Sequence, residues 1–393
     1  MGFEELIAQV EDLKLFTPGP TYVRRDLMIE AARMPNFSHR DEEIIIRFKP
    51  IYANLKKMAE VDDSYSTILI PGSGSSAMET SITSLIGDDE KVLSVSMGSF
   101  GDMYHAMAIA NRKNADKLSF APGQGIDLNV LEDKLKEMEK NGEKPSVVTF
   151  THNETSTGVE VNVAAVSAVI RKYGAMVLVD GVSAFGATRT GIQGNVDMYS
   201  TATQKSMGLD AGFGLAIVSP EALERAAYLK ENNKCSPPTI LDLSKHQENA
   251  KGYMTMTTPN CTLINALYLQ TDYIVNTEGV AARYARHREL KEMTHQWIDS
   301  LGNGYRLFPP KDVASNSVTA LQTAPGIKTQ DLNPTRLKLR ADKFVMSTGL
   351  PPMNKALEAK GQGVIIRIPH MGDMTRDMVS EYLAAMKKCI LEA

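Results

Sequence analysis

Two residues of this 393-residue chain stand out for the chemistry that their types and setting allow. Lys205 closes the stretch Asp197-Met-Tyr-Ser-Thr-Ala-Thr-Gln204-Lys205, just past a strand-like run, and Gly208, Gly212 and Gly214 follow it. Asp180 ends the apolar run Ala175-Met-Val-Leu-Val-Asp180, twenty-five positions earlier. A lysine amine forms Schiff bases with carbonyl compounds, and a carboxylate can hold the protonated nitrogen of a pyridine ring. At the ends of neighbouring strands the two suit a pyridoxal phosphate site. Taken singly, each has a plainer reading: Asp180 as a capping acid and Lys205 as a surface lysine.

Other segments carry weaker signals. Pro71-Gly-Ser-Gly-Ser-Ser-Ala-Met-Glu-Thr80 follows the apolar run Thr67-Ile-Leu-Ile70 and opens a helical pattern. Around Gly74 the backbone N–H groups can approach an anion, the helix N-terminus adds its dipole, and Ser73 and Ser75 add hydroxyls. A plain turn with a helix cap has the same composition. Neither the P-loop nor the dinucleotide-binding glycine pattern is satisfied. Ser96-Met-Gly-Ser-Phe100-Gly101 sets an aromatic ring where it can stack on a flat ligand or fill the core. Thr151-His-Asn-Glu-Thr155-Ser-Thr-Gly158 is polar and suits either a ligand's hydroxyl or phosphate or a loop without function. Arg367 sits in the apolar strand Val364-Ile-Ile-Arg-Ile-Pro369. A buried charge needs a partner, and a substrate carboxylate gripped by two hydrogen bonds would serve; an edge-strand arginine facing solvent is the other reading. What sets these segments apart is their order. Glycine–serine turn, aromatic loop, polar loop, strand-end acid and lysine each come after a strand.

The elements that must position them alternate. Lys91–Ser96, Ser146–Thr151, Ala175–Asp180, Asp197–Thr201 and Phe213–Val218 read as strands. Asp102–Lys113, Asn129–Lys140 and Val163–Tyr173 have helical spacing. This predicts an α/β layer structure with a mainly parallel sheet, whose ligands bind beyond the carboxyl ends of the strands. A helical stretch is expected over Leu263–Leu301, then a strand over Gly363–Pro369 and a closing helix over Thr375–Ile390. The expected organisation is an N-terminal segment over residues 1–20, a large domain over 21–260, and a helical connector with a small α+β domain over 261–393. A formal charge of −4 favours neither nucleic acid nor a solvating acidic tail. Cys235, Cys261 and Cys389 form no disulfide or zinc pattern, and the seven histidines form no metal site. With no signal peptide and no membrane-length apolar run, a cytoplasmic protein is expected.

Taken together, the segments from Leu15-Phe-Thr-Pro-Gly-Pro-Thr21 to Arg367-Ile-Pro-His-Met-Gly372 resemble the class V aminotransferases of the fold-type I pyridoxal phosphate enzymes. Within that family the chain looks most like the alanine–glyoxylate and serine–pyruvate group, with 2-aminoethylphosphonate–pyruvate aminotransferase close by. The resemblance implies a seven-stranded, mainly parallel sheet and a homodimer. It implies that Lys205 carries the cofactor and shuttles the proton, that Asp180 holds the pyridinium, and that Val182 presses on the ring. Phe100 occupies the stacking position. Ser73, Gly74, Ser75 and Gln204 hold the phosphate, and Thr155 lies near the ring hydroxyl. Arg367 binds the substrate carboxylate, Gly19 lines the substrate pocket, and Thr257 reaches a phosphate in the neighbouring subunit. One departure stands out: where many members have tyrosine three positions before that threonine, this chain has Met254, with Tyr253 beside it. The expected substrates are a small amino acid and a small 2-oxo acid. The alternative expectation is a 2-aminoethylphosphonate–pyruvate aminotransferase; a lyase or desulfurase, or a scaffold without catalysis, ranks below it. The desulfurase is disfavoured because no cysteine lies between Cys261 and Cys389.

Overall fold

A computed structural model describes residues 13–33 and 38–391; the first twelve residues of the expected N-terminal segment lie outside that range. The strands are β1 (Lys14–Phe16), β2 (Ser66–Gly72), β3 (Lys91–Ser96), β4 (Asn114–Ser119), β5 (Val147–Thr151), β6 (Asn153–Glu154) and β7 (Val159–Glu160). They continue as β8 (Met176–Asp180), β9 (Met198–Ala202), β10 (Gly212–Val218), β11 (Arg306–Leu307), β12 (Val318–Gln322), β13 (Phe344–Thr348) and β14 (Ile365–Pro369).

A seven-stranded sheet runs in the order β2-β10-β9-β8-β5-β3-β4. β9, β8, β5, β3 and β4 pair in parallel, whereas β10 is antiparallel to both β9 and β2. The exception has a local cause. Only the turn Thr203–Ala211 joins β9 to β10, too short for the crossover of a dozen or more residues that a parallel neighbour needs. Because β10 reverses twice, β2 ends at the same sheet edge as β3, β5, β8 and β9. The central strands are buried along nearly their whole length, as strands covered on both faces must be, with Ser and Thr among their apolar residues. In β8, Val177, Leu178 and Val179 are fully buried, each contributing about 1.5–3 kcal/mol. That burial fixes where Asp180 emerges.

The second sheet has the order β1-β13-β14-β12-β11 and its own apolar core. We propose that the two sheets mark two domains, as the expected division has it. The packing adds that β1, from the N-terminal segment, pairs with β13 of the small sheet. It also adds that Cys261–Asp272, counted with the connector in the expected division, buries Leu263, Ile264 and Leu267 in the large core.

Two further elements differ from expectation. β4 is polar and mostly exposed at the sheet edge, so it carries no apolar run to find. The helical stretch over 263–301 divides into Cys261–Asp272, a π-helical turn over Tyr273–Glu278, and Val280–Asp299. The break falls at Gly279, whose φ of 83° no helix accommodates and which glycine adopts without strain.

Candidate active site

The carboxyl edge of the large sheet gathers the loops that carry the chemistry. Register places Thr151 beside Asp180 and Asp180 beside Ser200. The segments leaving β2, β3, β8 and β9 close on a cavity of about 260 Å³. Gly19, Gly74, Ser75, Phe100, Asp180, Val182, Gln204 and Lys205 are on its wall.

Lys205 stands in the tight turn between β9 and β10. Its carbonyl accepts from Gly208 N–H at 2.9 Å, and Leu209 N–H closes the turn on the Thr203 carbonyl at 3.2 Å. Its Nζ donates to the Pro18 carbonyl and lies 5.8 Å from the centre of the Phe100 ring. Burial, and after it the nearby Arg367 charge, lower the amine's pKa to about 8. A larger share of the amine is therefore unprotonated near neutrality than at an ordinary lysine. Gly19 is required where the N-terminal segment crosses this side chain. Its φ is +120°, and a Cβ there would run into Lys205.

Asp180 is 4% exposed, and its Oδ1 accepts from Val182 N–H at 2.9 Å. Burial raises its pKa to about 7, with the Glu154 carboxylate adding to the rise and Val182 N–H and Lys205 opposing it. An acid held in that condition favours a cationic or donating partner in the cavity. Its main chain is held by His152, whose N–H donates to the Asp180 carbonyl at 2.8 Å and whose Nδ1 meets the Tyr199 hydroxyl at 2.8 Å. Burial lowers the His152 pKa to about 3, so its ring is neutral.

Phe100 lies in the first turn of the helix Ser99–Ala110. The fully buried Glu154 fixes that turn: its Oε2 accepts from the N–H groups of Phe100 (2.9 Å) and Gly101 (3.1 Å). Gly74 opens the helix Gly74–Leu85, whose first N–H groups have no partner within the helix. A Cβ on Gly74 would crowd Val182, so the turn needs glycine to come this close.

Ser73 and Thr155 do not line the cavity. Ser73 sits at the helix entrance with its carbonyl accepting from Ser76 N–H at 3.0 Å, and Thr155 is buried in the turn between β6 and β7. Thr257 lies between the helices ending at Lys251 and starting at Cys261, with its carbonyl accepting from Thr255 Oγ1 at 2.8 Å. Tyr253 stacks on Tyr52 with ring centres 6.2 Å apart, and like Met254 is absent from the cavity wall. Arg367 is also off the wall but within electrostatic reach of Lys205. Its Nε donates to the Thr348 carbonyl at 3.1 Å and its Nη2 to Ser347 Oγ at 3.2 Å. Burial lowers its pKa to about 10, with Glu154 opposing.

Several wall residues carried no signal of their own. Met78 and Met103 face the cavity one helical turn after Gly74 and Phe100, and an i, i+4 or i, i+3 step from those positions would have found them. Pro20 and the Pro18 carbonyl arrive through the same segment as Gly19. Glu154 lay inside a recognised motif without an assigned task.

The site fits pyridoxal phosphate on three counts. A helix N-terminus with glycine and serine faces the cavity, as a phosphate requires. The buried Gln204 Oε1 has no partner within the chain, and a buried polar atom left so points to a partner from outside. The raised acid and the lowered amine share one cavity wall.

The fold is that of the fold-type I pyridoxal phosphate aminotransferases. The chain matches the profile of the family Aminotransferase class-V over residues 27–377 and belongs to that family. It is 28% identical to a serine–glyoxylate aminotransferase of Arabidopsis thaliana, covering 95% of this chain and 89% of that one. It is 25% identical to a 2-aminoethylphosphonate–pyruvate transaminase of Phocaeicola vulgatus, covering 95% and 98%. An alanine–glyoxylate aminotransferase of Nostoc sp. superposes with a TM-score of 0.85 at 22% identity, covering 96% and 95%. The chain is thus a pyridoxal phosphate-dependent transaminase.

Proposed function

We propose that this transaminase moves an amino group from a small amino acid of the alanine or serine type to glyoxylate or pyruvate. One observation carries the reading: Lys205, Asp180, Phe100 and Gln204 converge on one cavity, with Arg367 beside it and its Nη1 without a hydrogen-bond partner among the described residues.

Pyridoxal phosphate, when bound, supplies the electron sink for the substrate's α-carbon. The chain's residues do the rest. Gly74, Ser75 and Gln204 would hold the phosphate, with Ser73 supporting the turn. Phe100 and Val182 would pack on the ring, Asp180 would keep its nitrogen protonated, and Thr155 would support a loop near the ring hydroxyl. Lys205 Nζ would anchor the cofactor and, once displaced by the amino substrate, would take the proton from the substrate α-carbon and return it two bonds away, acting as base and then as acid. Its lowered pKa makes it base and acid in turn near neutrality. Arg367 clamps the carboxylate. One guanidinium serving both acids means that they use it in succession, which is a ping-pong order.

The relative from Phocaeicola vulgatus favours a second reading, 2-aminoethylphosphonate as donor and pyruvate as acceptor. A homodimer, with Thr257 donated across the boundary, and a cytoplasmic setting complete the proposal. Among the described residues, no helix is long and apolar enough to cross a membrane. The deciding experiment follows the absorbance of the bound cofactor as alanine, serine, glycine, aspartate and 2-aminoethylphosphonate are added in turn. A response to alanine or serine supports the first reading, and one to the phosphonate alone transfers it to the second. Silence with every amine refutes both.

A further inference from the structure

Behind Lys205, away from the cavity, a buried ionic cluster ties together the three segments that build the site. Arg283 is fully buried on the helix Val280–Asp299. Its Nη2 donates to the Ser206 carbonyl at 2.8 Å, one residue past the lysine, and its Nε to the Gly186 carbonyl at 3.1 Å, at the end of the turn that follows Asp180. Its Nη1 bridges Asp373 Oδ1 and Glu278 Oε2, both at 2.7 Å. Asp373 leaves the end of β14, the strand that carries Arg367. Gln270 Nε2 extends the cluster, donating to Asp373 Oδ2 at 2.8 Å and to the Met207 carbonyl at 2.7 Å.

Two glycines make the approach possible. Gly208 has φ +70°, and a Cβ there would press on Asp373 and Gln270; a Cβ on Gly372 would press on Gly208. The N-terminal segment joins as well, because Arg24 Nε lies 3.4 Å from Asp373 Oδ2.

Burying this much charge is a poor way to gain stability, since desolvation cancels most of the attraction. Helix packing alone would be served as well by apolar side chains. What ionic geometry adds is direction: a guanidinium fork fixes two carbonyls and two carboxylates in one plane. The carbonyls it fixes belong to the lysine turn and the aspartate turn, and a carboxylate it fixes belongs to the arginine strand.

We propose that Arg283 is a positioning residue. Through the Ser206 and Gly186 carbonyls it sets the Lys205 amine against Asp180, and through Asp373 it keeps both in register with Arg367. The inference rests on the aminotransferase reading of Lys205.

The test is Arg283→Lys in the holoenzyme. A lysine keeps the positive charge near Asp373 but cannot reach both carbonyls. A misplacement of about 1 Å costs on the order of a hundredfold in rate, so kcat is expected to fall about ten- to a hundredfold. The KM of the amino donor should stay within about threefold, because the introduced lysine keeps the ion pair to Asp373 through which Arg367 is held. The visible circular dichroism of the bound cofactor, which reports its orientation, should change as well. Wild-type kcat and circular dichroism in the folded variant overturn the proposal, and so does a kcat loss with circular dichroism unaltered. Should Arg283→Lys fail to fold, Gln270→Met decides. It spares the ion pairs, removes the bonds to the Met207 carbonyl and to Asp373 Oδ2, and is expected to lower kcat about three- to tenfold with the same spectral change; no change in either overturns the proposal. Full turnover in Lys205→Ala would show instead that the site reading itself had failed.

Discussion

Replacing Arg367 by alanine probes the substrate side of the site, and the geometry sets the size of the effect. A guanidinium has five N–H donors. Thr348 and Ser347 engage Nε and Nη2, and among the described residues no hydrogen bond engages Nη1. Among the described residues no carboxylate lies within ion-pair distance of it, and burial has already lowered its pKa to about 10. A partly desolvated cation with Nη1 unengaged matches a carboxylate. Each charge-assisted bond contributes about 1.5–3 kcal/mol. Discounting for the side chain's partial exposure, the pair contributes about 2–4 kcal/mol to binding and transition state together. The expected loss in kcat/KM is then about 30- to 1,000-fold for α-amino and α-keto acids. Cofactor affinity should hardly move, since Arg367 is not on the wall of the cavity proposed to hold the cofactor. Single-turnover measurement of each half-reaction separates the donors. With alanine or serine as native donor, both halves slow; with 2-aminoethylphosphonate, the donor half is spared and the pyruvate half fails. Undiminished rates in both halves would make Arg367 a strand residue only, and the carboxylate argument would fall with it.

Other expectations concern the cofactor side and the assembly. Lys205→Ala should abolish turnover while leaving the thermal unfolding profile close to wild type; residual activity near the wild-type level would remove the lysine from its role. Asp180→Asn should keep some cofactor but lose most of kcat at saturating cofactor, and an unchanged kcat would count against the pyridinium partner. In enzyme stripped of cofactor, Asp180 titrates at about 7 against an unfolded value near 3.8. The folded form therefore binds the extra proton between these values, and stability should fall as pH rises from about 4 to 7. That slope should flatten in Asp180→Asn, as thermal melts across the range would show; an identical slope in both proteins would argue against the raised acid. The working unit is expected to be a homodimer, and an active monomer in sedimentation would remove Thr257 from any role across a boundary.

The local chemistry was legible in the sequence because it sits where apolar strands stop. A run such as Ala175–Val179 cannot be other than buried, so the acid that ends it must stand at a sheet edge. The same reasoning placed Phe100 after β3 and Lys205 after β9, and the order of these segments carried the family. β4 escaped because an exposed edge strand need not be apolar, and the break at Gly279 escaped because helical spacing resumes on both sides of it. Which segments cross in space was beyond any local pattern. Gly19 lies against Lys205 across 186 positions of chain, Arg283 reaches the Ser206 carbonyl from the helix Val280–Asp299, and Glu154 pins the Phe100 turn from a different strand. Composition and periodicity decide which faces of an element are buried and where it ends. Only the packed tertiary structure decides which ends meet, because desolvation, and with it the raised acid and lowered amine, depends on every segment that closes over the site.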